Sequence, residues 1–210
     1  MPTPEQILAG LHQIANQWQL LAVFWHLYFA VLLISFALGW RPSKRVVGIL
    51  LGLPFLSVSV LAWMAANPFN GAVFAIVGLA LLLIAVRLPD EPVRLAPMWA
   101  IGAGTLMFLF GWLYPHFLDT WSFVPYLYAA PMGLIPCPTL SIVIGVSLMV
   151  NALDSRAWSL VLGATGIFYG LFGALRLGVT IDLVLLVGAL LVIVLNFVGA
   201  TGTRKSVLAH

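Results

Sequence analysis

The chain holds a single cysteine, and it stands between two prolines in Pro136-Cys137-Pro138-Thr139. Two prolines remove two backbone donors and fix two φ angles, so this stretch belongs at the start of a helix and not inside one. A thiol at a helix N-terminus can react, ligate a soft metal ion, or pack as a small apolar group. Thr139 and Ser141 follow closely enough to present polar groups at the same helix end. His26, in Phe-Trp-His-Leu-Tyr-Phe, is an ionisable group inside an apolar run. Such a group faces protein or a water-filled cavity, either as a site residue or as a neutral imidazole bonded to a neighbouring helix. A heme role for it needs a second ligand such as His116 or the cysteine, and no spacing supports that. Asp182, two residues after Thr180, suits a helix cap or an ion pair with Arg176 across the Gly178 turn, and that pair could also hold a substrate carboxylate. Asn67, in Ala-Asn-Pro-Phe-Asn-Gly, reads as a turn residue or a polar neighbour of the other four.

The medium these residues sit in follows from composition. Hydrophobic residues make up 63% of 210 and charged residues 7%, against about 25% charged in an average soluble domain. The reading is an all-α integral membrane protein, a single transmembrane domain over 1–210, with the lipid bilayer as its first partner. A bilayer core needs about 20 apolar helical residues. Seven stretches qualify, approximately 18–40, 46–66, 71–88, 97–114, 136–153, 157–176 and 179–199. Threading them places Arg41, Lys44, Arg45, Arg87, Arg94, Arg156, Arg204 and Lys205 on one side and Arg176 on the other. By the positive-inside rule the N-terminus is then outside and the C-terminus cytoplasmic.

The segment before the first stretch has no Lys or Arg before Arg41, unlike a cleavable signal peptide. Thr3 with Gln6 forms a capping-box pattern around Pro4, and Ile7, Leu8, Leu11, Ile14, Ala15 and Trp18 recur at helical spacing. A short interfacial helix is expected there. The outer loop 114–135 is rich in Trp, Tyr and Phe and punctuated by Pro115, Pro125 and Pro131. It reads as an aromatic belt at the headgroups or as a lid over a cavity. Gly163, Gly166, Gly170 and Gly173 recur at three- and four-residue intervals, giving a flat face for packing within the bundle or for a homo-oligomer or larger complex.

The Gly-Leu-Ile-Pro-Cys-Pro-Thr stretch, together with Ala-Asn-Pro-Phe-Asn, resembles a family of uncharacterised bacterial multi-spanning membrane proteins with a Pro-Cys-Pro-Thr motif before a late apolar span. That resemblance implies a polytopic protein of the bacterial inner (plasma) membrane and no mechanism. Paired carboxylates in one span, a nucleophile beside a base and a metal-ligand cluster are all missing, so an enzyme is the least supported class. Which cofactor or metal, if any, belongs to the chain is left open, and there is no nucleic-acid signal. Two functions stay in play. One is a small-solute or metal-ion transporter or channel with an outward-facing site at Cys137, Thr139, His26, Asp182 and Asn67. The other is a non-catalytic subunit or assembly partner of a larger membrane complex.

Overall fold

The computed structural model describes the backbone of residues 3–207 and the side chains of residues 3–195. Arg204 and Lys205, counted above with the cytoplasmic side, lie outside the described side chains. Among the described residues the chain is helix and turn with no strand. Thr3 and Gln6 close the expected capping box, and α1 runs Pro4–Gln17 with Leu11, Ile14 and Ala15 buried. It breaks at Trp18, where α2 (Gln19–Ala37) begins. Then follow α3 (Lys44–Met64), α4 (Pro68–Arg87), α5 (Met98–Leu113), the short α6 (Tyr126–Ala129), α7 (Pro136–Met149), α8 (Arg156–Leu171) and α9 (Leu183–Val207).

Among the described residues four helices are long and apolar enough to cross a membrane: α2, α3, α4, and α8 with the π-turn that extends it to Arg176. α5 and α7 are shorter, and of α9 the described part, with the turn before it, is the apolar segment Thr180–Leu195. Helices thus occupy all seven apolar stretches, but the fifth ends four residues earlier than expected, at Met149 and not at 153. The reason is its surroundings. At 1.5 Å per residue α7 spans about 21 Å, short of a bilayer core of about 30 Å. It sits at the centre of the bundle, with every residue from Pro138 to Leu148 buried, and non-helical backbone at depth is tolerated where protein encloses it. α5 meets it backbone to backbone: a Cβ on Gly104 would stand 2.5 Å from the Gly145 carbonyl oxygen, and one on Gly111 2.7 Å from that of Pro138.

After α7, residues Asn151, Ala152, Leu153 and Asp154 form a left-handed turn, with φ of 52°, 50°, 57° and 52°. None is glycine; Asn and Asp tolerate this hand, whereas Ala152 and Leu153 cost about 1–2 kcal/mol each. The turn is clamped: Lys44 Nζ meets Asp154 at 2.9 Å and Glu91 at 3.1 Å, and Asn151 Nδ2 donates to Asp154 at 2.6 Å. Around it gather the loops 38–43 and 88–97, joined by Lys44 N–H to Glu91 O, Val93 N–H to Pro42 O and Ala96 N–H to Met149 O. This is the basic end of the bundle. It holds Arg41, Lys44, Arg45, Arg94 and Arg156, whereas Arg176 lies toward the other end, near Glu5 of α1.

α3 contains Pro54, which leaves the Leu50 carbonyl without its usual i+4 donor. Tyr28 of α2 supplies one, its hydroxyl donating to Leu50 O at 2.9 Å.

Candidate functional site

Pro136 is the first residue of α7, as the two prolines require, and Cys137 is the second. At the opposite end of the bundle from Lys44, its thiol donates to Asp182 Oδ2 at 3.1 Å. The Tyr114 hydroxyl, from the end of α5, donates to Asp182 Oδ1 at 2.7 Å. Asp182 closes a 3-10 turn, Thr180–Asp182, and is 1% exposed. It reaches this position because Gly178, at φ 72°, reverses the chain after α8, and because a Cβ on Gly173 would fall on its carboxylate. Both carboxylate oxygens therefore face uncharged donors. The expected pairing with Arg176 is not formed: that side chain is exposed, while Asp182 points inward.

A cavity of about 20 Å3 lies beside this pair, lined among others by Cys137, Asp182, Asn70 and Tyr169. That is room for about one water. On its far side the Tyr169 hydroxyl donates to Asn70 Oδ1 at 2.9 Å. Ile7 and Leu11 of α1 cover it, with Phe117 beside them. α1 is tied down by Asn16, whose Nδ2 donates to Phe117 O and whose Oδ1 accepts from Asp119 N–H, each at 2.9 Å. His12 Nδ1 stands 3.5 Å from Asp119 Oδ1. Phe117 adopts φ 77° to make this possible and stacks on Tyr114 at 6.2 Å.

Of the five candidates read from sequence, Cys137 and Asp182 come together and the other three do not join them. His26 is buried, but Nδ1 lies 2.8 Å from Ala22 O and Nε2 3.2 Å from Trp112 O. Both ring nitrogens are directed at backbone carbonyl oxygens, so neither is open to a ligand. His26 joins α2 to α5 instead, its ring 4.7 Å from that of Trp112. Thr139 accepts from Gly133 N–H and donates to Ile135 O, fixing the chain before α7. Ser141 donates back to the Cys137 carbonyl. Asn67 caps α4 by accepting from Asn70 N–H.

Three residues of the site were not singled out as site residues from sequence: Tyr114, Tyr169 and Asn70. Tyr114 falls in the loop read as an aromatic belt or a lid and Asn70 in a turn signal, while nothing in the sequence marks Tyr169. The glycine row of α8 is filled within the chain: Cβ atoms on Gly163, Gly166 and Gly170 would meet Ile193, Ala189 and Leu186 of α9. The loop 114–135 divides. Its flanks, with Tyr114, Phe117, Leu118 and Met132 to Ile135, are buried, while Trp121, Phe123, Val124, Leu127 and Tyr128 are exposed.

Set against family models, curated proteins and solved structures, the chain matches none. Its class rests on its own features: a helical bundle with membrane-length apolar helices and, at one end, a small, mostly apolar cavity with Asp182, Cys137 and Asn70 in its wall. No three of His, Cys, Asp and Glu are grouped to hold a metal ion among the described residues. A cation here would be met by one carboxylate, one thiol and neutral oxygens.

Proposed function

We propose that the protein is a polytopic membrane transporter or channel for a small cation, with Asp182, Cys137 and Tyr114 as its binding site and α1 as the lid. The observation that carries this is the state of Asp182. Its buried carboxylate meets only the neutral donors of Tyr114 and Cys137, beside a void of about 20 Å3. A carboxylate in a low-dielectric interior without a paired cation is neutralised by a proton or by a bound cation, and the void suits an ion or a water better than a larger solute. Passage requires α1 to swing about Trp18, breaking the Asn16 and His12 contacts to the loop. In this reading all seven apolar helices cross or line the membrane domain of the inner membrane. The cavity end then faces outward and the basic end the cytoplasm.

The test is cation flux into proteoliposomes, run with potassium, zinc and silver and with a proton-sensitive dye. Asp182→Asn and Cys137→Ala are expected to lose flux of the same ion. Unchanged flux of every ion in Asp182→Asn sinks the proposal. Orientation is tested separately in a Cys137→Ser background, where an impermeant maleimide is expected to label Ser122→Cys in intact cells and Asp90→Cys after lysis.

The exposed Trp121, Phe123, Val124, Leu127 and Tyr128 favour a second reading, an assembly partner of a larger membrane complex docking at the cavity end. A solitary monomer purified in gentle detergent counts against it.

A further inference from the structure

We propose that the groove between α2 and α3 holds an acyl chain of one anionic phospholipid, with the phosphate bound by Arg41. This rests on the chain lying in a bilayer and is independent of what the Asp182 cavity does.

The groove has a volume of about 680 Å3 and is lined by Phe24, Leu27, Val31, Ser35 and Trp40 on one side and Leu50 on the other. From Phe24 to Ser35 it follows α2 for roughly 17 Å at helical rise, and Trp40 lines it beyond the helix end. α2 and α3 meet across it through long side chains: Trp25 Nε1 donates to Ser57 Oγ at 3.2 Å, and Tyr28 donates to Leu50 O. The walls are therefore large residues. Close helix-to-helix contact in membranes uses small ones, so the occupant is something thinner than a helix.

Charge decides which lipid. Both walls end at the α2–α3 turn, which carries Arg41, Lys44 and Arg45. Lys44 is answered by Glu91 and Asp154. Arg45 Nε and Nη2 donate to the Leu88 carbonyl at 3.3 and 3.2 Å. Arg41 donates to the carbonyls of Phe36 and Trp40, both bonds leaving from Nη1. Neither arginine meets a carboxylate among the described residues. The Nε–Nη2 edge of Arg41 is left for a ligand, and that edge grips a phosphate through two parallel bonds. Trp40, stacked on Phe36 at 6.2 Å, sits between charge and groove as headgroup-level tryptophans do. A zwitterionic lipid fills the apolar part equally well but leaves the positive charge of this turn uncompensated.

The test is native mass spectrometry of the delipidated full chain titrated with phosphatidylglycerol or phosphatidylcholine. The wild type is expected to retain one phosphatidylglycerol per chain in preference to phosphatidylcholine. Arg41→Gln is expected to lower that preference about fivefold, the worth of one basic side chain at an anionic surface, and Arg41→Lys to restore part of it. Val31→Trp, which fills the groove and leaves Arg41 intact, is expected to lower retention of both lipids. Equal retention of the two lipids by wild type overturns the proposal, as does an unchanged preference in Arg41→Gln. A homodimer cross-linked through Val31→Cys also overturns it, by assigning the groove to a second copy.

Discussion

At the basic end α7 runs into a turn clamped by Lys44, whose ammonium meets carboxylates of Glu91 and Asp154 at 3.1 and 2.9 Å. At the cavity end it presents Cys137 to Asp182, whose carboxylate meets a thiol and a phenol at 3.1 and 2.7 Å. The first arrangement is saturated. One ammonium answers two carboxylates, the more exposed of which, Glu91, also faces solvent, and the network binds three loops to one another. The second has no cation within reach among the described residues and leaves a void beside it. An ion cluster whose lysine is buried between two loops' carboxylates holds structure together, whereas a buried carboxyl with no cation beside it must be neutralised by a proton or by a cation from outside.

The widest test of that contrast is Lys44→Met. It leaves Asp154 and Glu91 without their cation and releases the left-handed turn, with an expected loss of about 3 kcal/mol in detergent unfolding. The low end of the usual range applies because the Glu91 side chain is 60% exposed. An unchanged unfolding curve would erase the distinction between the two ends. Next comes Gly173→Ala, which places a methyl against the Asp182 carboxylate. Overpacking of this kind costs about 2 kcal/mol, and cation flux is expected to fall with it.

Asp182→Asn sharpens the contrast by separating stability from binding. It removes a charge that no cation compensates, so stability is expected to hold within about 1 kcal/mol while flux disappears. Asp154→Asn is expected to behave in the opposite sense, losing stability and keeping flux. The smallest effect concerns His116, in the loop beneath α1. Partial covering of its ring, and then the charge of His12, hold it below its ordinary value of 6.5. With its folded value lowered, the contribution of His116 is present above 6.5 and is lost as pH falls through the folded value. Melting temperatures at pH 8 and pH 5 check this, and the acid drop is expected to be smaller in His116→Gln.

The sequence made some of this architecture plain and hid the rest for identifiable reasons. Pro136 and Pro138 announce a helix start, and Thr3 with Gln6 announces a cap, because both signals are local and steric. The wrapping of α7 on all sides was hidden: a uniformly apolar helix looks the same whether lipid or protein surrounds it. The Asp182 cluster joins residues 68 and 45 positions apart, and nothing local marks a tyrosine as a carboxylate's partner. Arg176 looked like that partner by proximity along the chain, but the Gly178 reversal turns Asp182 inward and leaves the arginine outside. Tyr28 had a readable clue in Pro54, since a proline inside a membrane helix obliges some other group to donate to the carbonyl four residues before it.

The turn at residues 151–154 has one more implication, and it concerns chirality. Four consecutive L-amino acids there are wound as a D-peptide would prefer, so a semisynthetic chain carrying D-alanine at position 152 should fit the same backbone with less strain than the natural one. Ribosomal synthesis cannot supply that mirror-image residue. It is the neighbouring lysine, anchored from another helix, that keeps the natural enantiomers in the unfavourable hand.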